Sequence, residues 1–124
     1  MDVQRNVLGG PLVSCGSEPM TGWHRDGSCR TDDQDLGRHV VCCEMTAEFL
    51  EFSRDKGNDL MTPAPHLGFP GVRQGDRWCV CAGRWVEALR AGMAPPVVLA
   101  ATHERALEVM RLEDLQAHAL DAPA

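Results

Sequence analysis

The sequence predicts an α+β fold: one compact domain over residues 1–124, with a small, mainly antiparallel sheet, two to four short helices and long Gly/Pro-rich loops. Three observations predict it. The chain has 124 residues, which is the size of one domain. Its strand-like and helix-like segments interleave without the regular strand-helix-strand rhythm that a parallel sheet needs. Twelve Gly and eight Pro set so many turns that every element must be short.

Residues 1–37 form a turn-rich N-terminal region, where Gly9-Gly10, Gly16-Ser17 and Asp26-Gly27 leave room only for a short strand such as Asn6 to Leu8. Residues 38–124 carry strand-helix units and a terminal helix. His39 to Met45 has a β-branched centre and reads as a strand. Thr46 then caps a helix running to Lys56, with Glu48 in its first turn, Phe49, Leu50 and Phe52 as apolar positions and Gly57 as its stop. Asn58 to Gln74 holds Pro63, Pro65 and Pro70 and must be a long connection, pinned by His66 and Phe69. Asp76 to Ala82 reads as a strand and Arg84 to Ala91 as a helix stopped by Gly92. Val97 to Leu99 is a third β run, Thr102 caps a short helical turn through Glu108, and Leu112, Leu115 and Ala119 mark a terminal helix from Glu113 to about Leu120.

The net charge is -6, and eleven of the twelve basic residues are Arg scattered singly along the chain. A phosphate backbone is bound by clustered cations, so nucleic acid is excluded as a partner. The acidic group Asp32, Asp33 and Asp35 reads as a solvated loop and is assigned no chemistry. The longest uncharged apolar stretch, Ala94 to Ala101, contains Pro95 and Pro96 and is far shorter than the ~20 residues of a membrane helix, so no membrane partner is expected. The N-terminus has an acid where a secretory signal would carry bases, and a soluble cytoplasmic protein is the expectation.

Six Cys in so short a chain stand out. In a reducing cytoplasm they read as free thiols, metal ligands or redox centres before structural disulfides. Cys79-Val80-Cys81 on an extended strand brings two thiols to one face, whereas the vicinal Cys42 and Cys43 point to opposite faces. The metal candidates are therefore Cys79 and Cys81 first, then Cys42 and Cys29, with zinc or copper as the soft ion. The single C-x-C matches no standard zinc spacing, and buried Cys packing as small hydrophobes competes with this reading. As nucleophile candidates, Cys81 precedes a helix N-terminus beside Arg77 and Arg84, and Cys29 lies in an accessible turn. His103-Glu104 lacks the second His of a metalloprotease helix; His103 reads first as a partly exposed His at a helix start, and in the competing reading it donates to a carboxylate such as Asp59 or Asp76 in a polar pocket and is a candidate base.

Several blocks carry a resemblance: Asn6-Val7-Leu8-Gly9, Asp26-Gly27-Ser28-Cys29, His39-Val40-Val41-Cys42, Gly57-Asn58-Asp59-Leu60, Phe69-Pro70-Gly71, Gly75-Asp76-Arg77-Trp78-Cys79 and Ala94-Pro95-Pro96-Val97-Val98-Leu99 through Thr102-His103-Glu104. Together they resemble the small bacterial family catalogued as domain of unknown function 2237, over nearly the whole chain. The resemblance implies a free-standing α+β domain and supplies no reaction. It ranks Cys29, His39, Cys42, Asp59, Asp76, Trp78, Cys79, Cys81 and His103 above the rest, favours Cys42 over Cys43 and leaves Cys15 aside as an incidental loop residue.

Three functions compete. The first is a pocket lined by Cys, His and Asp that binds a small ligand or soft metal, with His39, Asp59, Asp76, Trp78 and His103 as binding residues. The second is a thiol-dependent enzyme using Cys29 or Cys81. The third is a protein-interaction module that docks through Pro63 to Gly71 and keeps its Cys buried.

Overall fold

The computed structural model describes residues 4–121. Its centre is an antiparallel strand pair, β1 (His39–Glu44) and β2 (Arg77–Cys81), in the register Cys42 opposite Cys79 and Cys43 opposite Trp78. The pairing shifts between His39 and Val41, so Val40 is an extra residue on β1. This bulge breaks the alternation and lets Val40 and Val41 both reach the main core.

Helix α1 (Ala47–Asp55) begins where expected, because the Thr46 hydroxyl accepts from the Phe49 N–H at 3.1 Å. It ends before Gly57, whose φ of +91° is the left-handed conformation that suits glycine. Helix α2 (Ala82–Arg90) starts directly at the end of β2, with Cys81 as its N-cap residue. Phe49 and Leu50 of α1 and Trp85 and Ala88 of α2 pack with Val40, Val41, Cys43 and Val80 as the main core. The indole N–H of the fully buried Trp85 donates to the Pro95 carbonyl at 3.3 Å. Helix α3 (Leu112–Ala117) closes the chain over this core through Leu115.

The α+β class is as predicted, but the sheet is smaller than expected. The run at Val97 to Leu99 makes only isolated bridges, from Val97 to Cys43 and to Ala119, and then turns into a 3-10 segment at Leu99–Ala101. It still lies along the free edge of β1: Glu44 N–H donates to Pro96, Val98 N–H to Cys42 and His103 N–H to Val40. Asn6 to Leu8 likewise forms a single bridge, Asn6 to His103, before turning. Pro95 and Pro96 bound the first run on its N-terminal side and Gly9-Gly10 follow the second, so neither is long enough for a ladder.

The N-terminal region buries few apolar side chains, chiefly Val7, Cys15 and Cys29. Two disulfides tie it down: Cys15 is bonded to Cys42 of β1, and Cys29 to Cys79 of β2. The expectation of free thiols therefore fails for four Cys, and Cys15, set aside as incidental, is half of one bridge. Cys43 and Cys81 are the free thiols among the described residues. No helix among these residues is long and apolar enough to cross a membrane.

Candidate functional site

A cleft of about 600 Å³ opens over β2, and its wall includes His39, Asp59, Trp78 and Cys81, four residues singled out from sequence. Trp78 and Val80 form its floor, and Cys81 stands where β2 gives way to α2. The Cys81 thiol is half-buried and donates to the Gly37 carbonyl at 2.7 Å. A side-chain carbon at Gly37 would lie 3.1 Å from Cε1 of His39 and 3.4 Å from Sγ of Cys81, so thiol and imidazole flank the same glycine. Pairing of His39 with Cys81 across the strands brings them there.

His39 is held by a residue that sequence reasoning dismissed. Asp35 is fully buried, and its Oδ1 lies 2.7 Å from Nδ1 of His39. Its Oδ2 accepts from the His39 N–H at 2.9 Å and from the Thr31 hydroxyl at 2.9 Å. Burial pushes the Asp35 pKa up, but these hydrogen bonds together outweigh it and hold the carboxyl below its ordinary range. A carboxylate only accepts, so Nδ1 carries a proton and Nε2 is left as the ring's basic atom in the neutral form. The signal in the sequence was the four-residue spacing of Asp35 and His39 at a strand entry.

Aromatic and cationic groups line the rest. Trp23 stacks on the His39 ring with centroids 5.6 Å apart, and Phe69 meets Trp78 edge-on at 5.5 Å. The guanidinium of Arg25 lies 5.0 Å above the Trp78 ring. Arg25 adopts φ +54°, an uncommon conformation for a residue with a side chain, and its Nη1 donates to the Gly22 carbonyl at 2.7 Å. Arg84, from the first turn of α2, is the second cation. The long connection supplies Asn58, Asp59, Leu60, Leu67 and Phe69, so the segment predicted as a docking loop is a wall of the cleft.

The other candidates lie elsewhere. Asp59 is exposed at the cleft edge, where the Thr62 hydroxyl and the Met61 and Thr62 N–H groups hold its carboxyl below the usual range. Asp76 accepts from the Arg73 N–H at 2.9 Å and serves a turn outside the cleft. His103 meets neither Asp59 nor Asp76. Its Nδ1 accepts from the Arg105 N–H at 3.0 Å, so Nε2 carries the proton and donates to Gln4 Oε1 at 2.8 Å. Burial, only partly offset by Glu104 and Glu108, lowers its pKa and keeps the ring neutral. Of the proposed metal ligands, Cys29, Cys42 and Cys79 share a buried cluster with Cys15, whereas Cys81 lies apart in the cleft. Cys43 faces the opposite, apolar side, where burial drives its pKa well up.

A bacterial protein family, described as an uncharacterized protein conserved in bacteria (DUF2237), matches residues 5–119. The chain belongs to that family. The match spans the cleft, both disulfides and the cysteines of both strands, so the expected membership holds for the whole fold. No curated protein matches the chain.

Proposed function

We propose that the domain binds a small organic anion with a planar apolar group in the cleft over β2. The observation that carries this reading is the cleft lining: Trp23, Phe69 and Trp78 supply flat apolar surface, and Arg25 and Arg84 supply positive charge in a chain of net charge -6. Binding sites for small molecules are concave, mostly apolar and about 300–1,000 Å³, with a few polar groups that set orientation. Asn58 and His39 would provide those. Titration with naphthalene-2-sulfonate, followed by tryptophan fluorescence, tests it. Saturable binding should weaken at least tenfold in Arg84→Ala and in Arg25→Ala, and neutral naphthalene should bind far less well. Equal binding of the neutral compound, or none of the anion, would overturn the reading.

A second reading, thiol chemistry at Cys81, is favoured by a specific arrangement. Cys81 is the N-cap residue of α2, and its half-buried thiol shares Gly37 with an imidazole oriented by buried Asp35. Iodoacetamide should alkylate Cys81 in the folded protein and leave Cys43 untouched, and His39→Gln should slow the reaction. A rate no greater than that of a free thiol, unchanged in His39→Gln, would sink it. Cys29 drops out of this role in the oxidised protein because its sulfur is bonded to Cys79. A cytoplasmic location, which the sequence favours, would keep the four bridged Cys as thiols; an oxidising compartment would keep both bridges closed.

A further inference from the structure

Away from the cleft, four sulfurs converge on the opposite side of the strand pair. Cys15 and Cys29 come from the N-terminal region, Cys42 from β1 and Cys79 from β2, and the last two are direct cross-strand partners. All four are at most 2% exposed, and the cluster is completed by Val98 and Ala101. The two bridges lie side by side: the Sγ atoms of Cys15, Cys29 and Cys79 are all within 4.8 Å of one another, and the Cys42 sulfur is bonded to that of Cys15. Zinc bound by thiolates at ~2.3 Å in a tetrahedron separates the sulfurs by about 3.8 Å. Opening the bridges and drawing the four sulfurs around one ion therefore needs shifts on the ångström scale. The backbone beneath is fixed, because Thr21 accepts from the Cys79 N–H at 2.8 Å and Thr102 from the Cys42 N–H at 3.2 Å.

We propose that Cys15, Cys29, Cys42 and Cys79 form a redox-gated zinc site. In the oxidised state they are the two disulfides. Each disulfide is opened by one equivalent of a dithiol reductant, which gives up two electrons and two protons and leaves as its own disulfide. The four thiols then take one Zn²⁺ and release four protons to solvent. A disulfide oxidant runs the cycle backwards: two equivalents accept four electrons from the thiolates and four protons from solvent and leave as dithiols, the bridges re-form and Zn²⁺ is expelled. The all-sulfur donor set is closed, dry and soft, which suits zinc and excludes calcium and magnesium. In either state the N-terminal region stays fastened to both strands. With so few buried apolar side chains of its own, that region needs one fastening or the other.

The test uses the full chain, reduced with a water-soluble phosphine under nitrogen, freed of metal and titrated with cobalt(II). One equivalent should produce the visible bands of a tetrahedral thiolate site, and one equivalent of zinc should remove them. The oxidised protein should give no such bands. Cys15→Ala should weaken cobalt binding at least tenfold, whereas Cys43→Ala should leave it unchanged. In case Cys15→Ala does not fold, the wild type supplies a second measurement: zinc should protect Cys15, Cys29, Cys42 and Cys79 from alkylation while Cys81 reacts. Failure of the reduced protein to bind cobalt would overturn the proposal, as would bands lost in Cys81→Ser or protection of a different set of cysteines.

Discussion

Removing either disulfide should destabilise the oxidised protein by several kcal/mol, and the amount follows from where the bridges lie. Cys15–Cys42 closes a separation of 27 residues and Cys29–Cys79 one of 50. Loop-closure entropy gives about 3.5 kcal/mol for the first and about 4 kcal/mol for the second, so loop length alone separates them by only about 0.5 kcal/mol. The loops overlap in sequence, so loss of both should cost less than the sum. Against a typical total of about 5–15 kcal/mol, either loss is a large fraction. At this chain length each kcal/mol moves Tm by roughly 4 °C, so each paired substitution, Cys15→Ala with Cys42→Ala or Cys29→Ala with Cys79→Ala, should lower Tm by about 15 °C. Urea unfolding followed by tryptophan fluorescence, in oxidising buffer with a chelator present, measures both pairs. A loss below about 1 kcal/mol for either pair would refute the view that the bridges stand in for missing core beneath the N-terminal region.

Three further outcomes follow from the same structure. Asp35→Asn keeps the volume but turns an amide donor toward the groups that now donate to the carboxylate; it should cost about 2–3 kcal/mol in urea unfolding and slow alkylation of Cys81, and an unchanged midpoint would contradict its role. Acidification should act through His103 first: its folded pKa lies below the unfolded value near 6.5, so its stabilisation is present above that pH and is lost as pH falls. The lowered pKa of Asp35 adds a second loss at lower pH, below about 4. The difference in urea midpoint between wild type and His103→Gln should shrink on acidification from pH 7, and a growing difference would reverse the sign argued here. Gly22→Ala puts a carbon against the Ser28 carbonyl at a residue with φ +98°, so it should cost more than about 1 kcal/mol and shift Trp23 fluorescence; a silent substitution would show that the loop presenting Trp23 and Arg25 is not held as described.

Much of the candidate cleft was legible because its members sit at positions where local rules are strong. Trp78 and Cys81 lie on a strand recognisable from its composition, His39 begins the other, and the length of the Pro-rich connection marked Asn58 to Gln74 as more than a linker. Asp35 was not legible as a buried group. In sequence it is one of three neighbouring acids, and only the packing of Thr31, Asp35 and His39 separates it from exposed Asp33. His103 was recognised as special, but its partner proved to be Gln4, 99 residues away.

The sequence by itself determined what acts within a turn or two of the chain: the Thr46 cap and Gly57 stop of α1, the two strands, and the opposite facing of Cys42 and Cys43, since capping and alternation are properties of adjacent residues. Tertiary structure alone decided which sulfur meets which. Cys79 and Cys81 were expected to share a face, but Cys81 ends its strand as the N-cap residue of α2 and turns to the cleft, while Cys79 joins Cys29, Cys42 and Cys15. Those partners are 27 and 50 residues apart along the chain, so no local preference encodes their meeting. It is set by how the turn-rich N-terminal region lies across the strand pair.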